Sequence, residues 1–220
     1  DAVGHRAVHA GEYFNDSVLV TDAVMEKIEE CVELAPLHNP PNILGIKACQ
    51  EIMPGVPQVA VFDTTFHSTM PATSYIFPLP YKYYEEDHIR RYGAHGTSHR
   101  FVAYRTAEII GKDLKDIKLI TCHLGNGCSI TAIKDGKVLD TSMGLTPLDG
   151  FAMGTRCGAV DPSAITYIMK KHNISPDEMD KIMNKQSGVL GVSGVHSDDR
   201  AVKAAAVEGN ERAKLARDIQ

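Results

Sequence analysis

Three segments of the 220-residue chain group residue types whose spacing suits the handling of phosphate. The first is His123-Leu124-Gly125-Asn126-Gly127-Cys128-Ser129. Two glycines flank an asparagine between two strand-like runs, and glycine lets backbone N–H groups turn tightly and approach an anion closely. The same spacing also describes a plain hairpin turn, for which Asn-Gly is the common choice. It matches neither the Walker pattern nor the G-x-G-x-x-G fingerprint. The second segment is Tyr92-Gly93-Ala94-His95-Gly96-Thr97-Ser98-His99. His95 and His99 are spaced like a metal pair on one helix face, but Gly96 stands where H-E-x-x-H has its Glu, which speaks against zinc hydrolysis. A histidine just before a helix N-terminus can instead meet an anion there, with the helix dipole assisting. That is the reading for His95, whereas His99 is expected to pack and hydrogen-bond in the interior. The third segment, Gly150-Phe151-Ala152-Met153-Gly154-Thr155-Arg156-Cys157-Gly158, places one arginine on a flexible glycine-rich loop. Arg156 is then either a solvated charge or a guanidinium delivered onto a transferring phosphoryl group.

Two further charges stand out. Asp63 ends an apolar strand, Gln58 to Phe62, where it suits a magnesium-orienting carboxylate or a helix cap. Arg6 lies between Val3 and Val8 on a strand, and burying it without an anionic partner would be costly. It is therefore a candidate binder of carboxylate or phosphate.

The elements that must position these residues read as α/β. A strand covers Ala2 to Val8. A helix capped by Asp22 carries Val24, Ile28 and Val32 at helical spacing. A rigid loop follows at Leu37-His38-Asn39-Pro40-Pro41, then a second helix capped by Asn42, then the strand ending at Asp63. Residues 71–92 form a long irregular connection, and Thr97 or Ser98 caps a helix running to about Ile110. Strands are expected at Ile117–Cys122, Ser129–Lys134 and Val138–Thr141, the last two joined through an Asp135-Gly136 turn. Asp161-Pro162 and Ser175-Pro176-Asp177-Glu178 each open a helix. A domain boundary is placed at residue 112, between 1–112 and 113–220.

Composition narrows the class. The chain is 43% hydrophobic and 23% charged, with a net charge of −5. That balance argues for a globular protein and against a nucleic-acid partner. No signal peptide is expected, and no apolar run is long enough for a bilayer. Five cysteines without C-x-x-C spacing read as reduced thiols of a cytoplasmic protein, the alternative being one free thiol beside two disulfides in a secreted one. The chain opens within a strand-like segment and closes within a helical one, so both ends are expected to be cut.

Five motifs occur in order: Leu34-Ala35-Pro36-Leu37-His38-Asn39-Pro40, Val61-Phe62-Asp63-Thr64-Thr65-Phe66-His67, Arg91 to His99, His123-Leu124-Gly125-Asn126-Gly127 and Met153-Gly154-Thr155-Arg156. Together they resemble the successive motifs of acetate kinases, and the resemblance covers essentially the whole chain. It implies an α/β fold of the actin/Hsp70/sugar-kinase (ribonuclease H-like) type, with parts of two domains flanking a cleft. Residues 1–112 would be the remainder of the substrate-side domain and 113–220 the start of the nucleotide-binding domain. It also implies Mg2+, ATP or ADP as substrate, a small carboxylate as the other substrate, and a homodimer.

Matched to that family, Arg6 and Arg156 are the arginines that hold the carboxylate and stabilise the transferring phosphoryl group. His95 contacts that group, and Asp63 acts on magnesium or on the orientation of an arginine. His123, Gly125, Asn126 and Gly127 form the nucleotide phosphate loop. Val8, Leu37, Ala94 and Pro147 line the acyl pocket, and His38 is structural near the site. Ala94 replaces a phenylalanine usual in that pocket, Ala10 a glycine, and Cys128 and Cys157 common serines. The family's N-terminal phosphate loop, its adenosine motif and a metal-site glutamate find no match in the chain.

The activity implied is reversible, in-line transfer of the γ-phosphoryl group of ATP to acetate. A carboxylate is already deprotonated at neutral pH, so no general base is required. The alternatives are a kinase for propionate or butyrate, a catalytically incomplete piece of such an enzyme, and a hydrolase or sugar kinase of the same superfamily.

Overall fold

The computed structural model describes all 220 residues. By packing, the chain divides into two compact units: Asp1–His123 with Ile130–Thr146, and Leu124–Ser129 with Pro147–Gln220. In the first unit, strands β1 (Val3–Ala7) and β3 (Gln58–Phe62) run parallel, with Arg6 opposite Val61 and Ala7 opposite Phe62. The two-residue β2 (Val18–Leu19) pairs antiparallel on the other side of β3. A parallel pair needs a crossover, and the chain between β1 and β3 includes helices α1 (Asp22–Glu30) and α2 (Asn39–Ile52). Their inward residues Met25, Ile28, Ile43 and Ile46 join Ala7, Ala60 and Phe62 in one core, over which Phe14 stacks on Phe62 at 5.3 Å.

Several local expectations are corrected. Thr21, not Asp22, caps α1, its hydroxyl accepting from Val24 N. Helix α2 starts at Asn39, inside the stretch read as a rigid loop, because Pro40 and Pro41 fall at first-turn positions whose N–H groups need no intrahelical partner. Asn42 therefore lies within the helix rather than capping it. The connection 71–92 contains two short helices, α3 (Ala72–Tyr75) and α4 (Lys82–Asp87). Helix α5 (Gly96–Ile109) is preceded by His95 in the left-handed region, φ 59°, and neither Thr97 nor Ser98 caps it. Both hydroxyls are used elsewhere.

A second sheet follows, in the order β4 (Lys118–Leu124), β5 (Cys128–Lys134), β6 (Lys137–Thr141). Asp135 and Gly136 both have positive φ, 53° and 73°, the conformation that a tight antiparallel hairpin demands. Within the first unit the β5–β6 hairpin is packed at its far end: Val138 N donates to Thr69 Oγ1 at 2.9 Å, and Ile133 and Val138 share a core with Met70, Ala103 and Leu114.

The second unit is mostly helical. Asp161 caps α6 (Pro162–His172) through Ser163 N, and Ser175 caps α7 (Pro176–Lys185) through Glu178 N. Helices α8 (Gly188–Ser193), α9 (Asp199–Val207) and α10 (Glu211–Ile219) meet over Val189, Val202, Ala213 and Ala216. No helix is long and apolar enough to cross a membrane.

Candidate active site

In the first unit, the end of β1 and the end of β3 bring Arg6 and Asp63 together. Arg6 Nε donates to Asp63 Oδ1 at 3.1 Å, and Nη2 donates to Oδ2. This is a two-point fork that fixes the plane of the guanidinium. The burial is the reverse of the sequence expectation. The Arg6 side chain is 62% exposed and it is Asp63 that is buried, at 2%. A third donor, Thr97 Oγ1, reaches Asp63 Oδ1 at 2.9 Å from the first turn of α5. The carboxylate raises the Arg6 pKa, by direct hydrogen bonding first. Both Asp63 oxygens are thus occupied by cationic or hydroxyl donors, and no group of three His, Cys, Asp or Glu side chains gathers elsewhere. These residues suit the orientation of an arginine and do not fit a direct magnesium ligand set.

The backbone beyond Arg6 is held by side chains. Val8 N donates to Asn42 Oδ1, His9 N to Asn39 Oδ1 and Ala10 N to Thr64 Oγ1, each at 3.1 Å. Fully buried Asn39 also donates to His9 O and Ile28 O. Asn39, Asn42, Thr64 and Thr97 were missed as supporting residues by sequence reasoning. The repeated Asn around Pro40-Pro41 is a local signal for Asn39 and Asn42, and none marks Thr64 or Thr97 in this role.

His95 sits at the mouth of α5, its ring stacked on His123 at 4.0 Å between centroids. His123 Nδ1 is bonded to Ser98 Oγ at 2.9 Å. Burial, and then His123, push the His95 pKa down to about 4, so its imidazole is neutral near pH 7. Gly96 must lack a side chain, because a Cβ there would overlap the Asp63 carbonyl, which accepts Gly96 N at 2.9 Å. His99 is 1% exposed and bonded to Thr121 Oγ1 at 2.7 Å, the interior role expected of it.

In the second unit, the Gly125-Asn126-Gly127 bend lies beside the Arg156 loop. Asn126 is not among the left-handed residues, so this bend differs from the Asp135-Gly136 hairpin. Asn126 O accepts Gly154 N at 3.1 Å, and the Asn126 side chain lies over the Cα of Gly154. Arg156 donates from Nη1 to Pro147 O at 3.3 Å and to Met153 Sδ at 3.7 Å, and forms no ion pair with a carboxylate. Burial lowers its pKa, while the neighbouring Cys128 acts the other way. Of the acyl-pocket candidates, Val8 and Ala94 are buried, at 8% and 3%, whereas Leu37 is 55% exposed. His38 stands at the N-cap position of α2.

The whole length, residues 1–220, matches the acetokinase family. The chain belongs to the acetokinase family. An acetate kinase of Caldanaerobacter subterraneus subsp. tengcongensis is 61% identical over 217 residues, which are 98% of this chain and 54% of that relative. The crystal structure of Porphyromonas gingivalis acetate kinase superposes with a TM-score of 0.95 at 52% identity, over 100% of this chain and 55% of the other. A propionate kinase from Francisella tularensis subsp. tularensis gives a TM-score of 0.95 at 53% identity, over 99% of this chain and 56% of the other. The fold is accordingly the actin/Hsp70/sugar-kinase-like α/β type. The chain spans about half the length of the relatives it matches.

Proposed function

We propose that the chain serves ATP-dependent phosphorylation of a short-chain carboxylate, acetate in the first instance. One carboxylate oxygen attacks the γ-phosphorus in line, the P–O bond to ADP breaks, and acyl phosphate and ADP result; the reverse reaction makes ATP. The observation that carries this reading is Arg156, a half-buried guanidinium bonded only to a carbonyl and a thioether. Such a cation gains most from an anion whose charge spreads over several oxygens. Arg6, oriented by Asp63 with its outer face exposed, is suited to a substrate carboxylate. Neutral His95 offers a hydrogen bond to a phosphoryl oxygen. The Asn126 bend is assigned to nucleotide phosphates, and Mg2+ enters with the nucleotide as part of the substrate. We assign 1–112 to the substrate-side domain and 113–220 to the nucleotide-side domain of a cytoplasmic homodimer.

A larger acyl group is the second reading, favoured by Ala94. Phe101 is 70% exposed, and Tyr92 is committed to the His9 ring at 4.4 Å and to His88 O at 3.0 Å, so neither stands in for the missing aromatic wall. The test is trapping of acyl phosphate with hydroxylamine, using ATP, Mg2+ and acetate, propionate or butyrate. It is run on the polypeptide carrying this chain and on its Arg156→Ala variant. Acyl hydroxamate should form, and the variant should lose about 10³-fold or more in rate. No hydroxamate with any of the three acids, or a loss below tenfold in the variant, would sink the proposal.

A further inference from the structure

The loop that carries Arg156 is glycine-rich, yet it is bonded along its length to the junction between α7 and α8. Cys157 N donates to Met183 O at 3.0 Å, and Thr155 Oγ1 donates to Asn184 O at 2.9 Å. Both acceptors lie in the last turn of α7, whose carbonyls have no intrahelical partner. From the other side, Ser187 N donates to Thr155 O at 3.0 Å, Val189 N to Met153 O at 2.8 Å and Leu190 N to Gly154 O at 2.9 Å. These are the N-cap amide and two first-turn amides of α8, equally without partners inside their own helix. Met153 N closes the loop on Arg156 O at 3.0 Å, and Gly154 N binds Asn126 O. The expected flexible loop is therefore a fixed one.

The junction closes only because residue 188 is glycine. Gly188 has φ 61°, and a Cβ there would overlap Met153 O and lie 2.5 Å from Arg156 O. The carbonyl of Arg156 itself would have to retreat. Gly154 extends the same logic to Asn126, since a Cβ at 154 would overlap its amide oxygen.

We propose that the α7–α8 junction, through Gly188 and Thr155, is the positioning element for Arg156 and for the Asn126 bend. Neither residue touches substrate; each acts through the loop. For its kinetic arm the proposal rests on the function proposed above. For its structural arm it does not.

The experiment compares Gly188→Ala, Thr155→Val and Thr155→Ser with the parent chain by kinetics and by hydrogen exchange. Gly188→Ala shifts the loop on the order of 1 Å and should cost about 10²-fold in kcat. Thr155→Val removes one hydrogen bond and should cost about 3–10-fold. In both, KM for the carboxylate should stay close to the parent's, because the lost interaction belongs to the transition state. Thr155→Ser keeps the hydroxyl and should restore the rate. In parallel, exchange at the amides of 153, 154, 157, 187, 189 and 190 should quicken in Gly188→Ala and Thr155→Val while β3 stays protected.

If Gly188→Ala fails to fold, the Thr155 pair carries the decision. Thr155→Ser as slow as Thr155→Val, kcat unchanged in Thr155→Val, or exchange that quickens equally in β3 would each overturn the proposal. If the parent makes no acyl phosphate, the functional reading has failed, and the exchange arm still decides whether the junction holds the loop.

Discussion

Replacing Gly154 with alanine tests whether Asn126 is held where a nucleotide phosphate would need it. The added Cβ would overlap Asn126 Oδ1 and stand 2.8 Å from Asn126 Cγ, with Ser197 O at 2.9 Å on another side. Carbon atoms rest at about 3.5–4.0 Å, so the amide must retreat by roughly 0.7 Å or more. Ser197 O is backbone and yields less readily than a side chain. Overpacking of this kind costs about 1–3 kcal/mol, which a domain stable by about 5–15 kcal/mol survives. The functional cost is larger in proportion. A misplacement near 1 Å is worth about 10²-fold in rate, or about 2.7 kcal/mol of barrier. The assay is acyl phosphate formation with ATP varied, beside a thermal melt, for Gly154→Ala, Asn126→Ala and the double variant. If Gly154 acts through Asn126, the double variant should be no slower than Asn126→Ala alone, because coupled residues are not additive. A value of kcat/KM for ATP within threefold of the parent in Gly154→Ala, or strictly additive losses, would refute the reasoning.

Three other outcomes are expected. Burial holds the His9 and His67 pKa values at about 4 and about 3, whereas the unfolded chain binds these protons near 6.5. Their contribution to stability is then complete above about pH 6.5 and falls as pH drops below it, by up to about 1.4 kcal/mol per pH unit for each. Equal urea midpoints at pH 7.5 and 5.5 would contradict this. Asp63→Asn should raise KM for the carboxylate more than for ATP. It should cost only about 1 kcal/mol in urea, because the exposed Arg6 rehydrates; unchanged carboxylate kinetics would remove Asp63 from the orienting role. Ala94→Phe should shift kcat/KM toward acetate over propionate and butyrate by about 0.8 kcal/mol per methylene excluded, and identical ratios in both proteins would show that Ala94 does not line the pocket.

Much of this protein is local enough to read from its residues in order. The strands β1 and β3 with two helices between them, the Asp135-Gly136 hairpin and the helix starts at Asp161 and Ser175 all follow from spacing and turn chemistry. These depend on neighbours a few residues apart or on patterns repeated along one element, so a linear reading reaches them. The tertiary structure decided which polar group each side chain serves. Asn42 and Thr97 look like helix caps, yet Asn42 accepts from Val8 N, 34 residues away, and Thr97 donates to Asp63, also 34 residues away. The sharing of Asp63 between Arg6, 57 residues earlier, and Thr97 is equally invisible in the linear pattern. So is the clamp of 183–190 on the Arg156 loop, which turns a run of glycines from an emblem of flexibility into a site of close packing. A buried donor or acceptor must find a partner wherever the fold brings one, and that choice is made in space after the elements are packed.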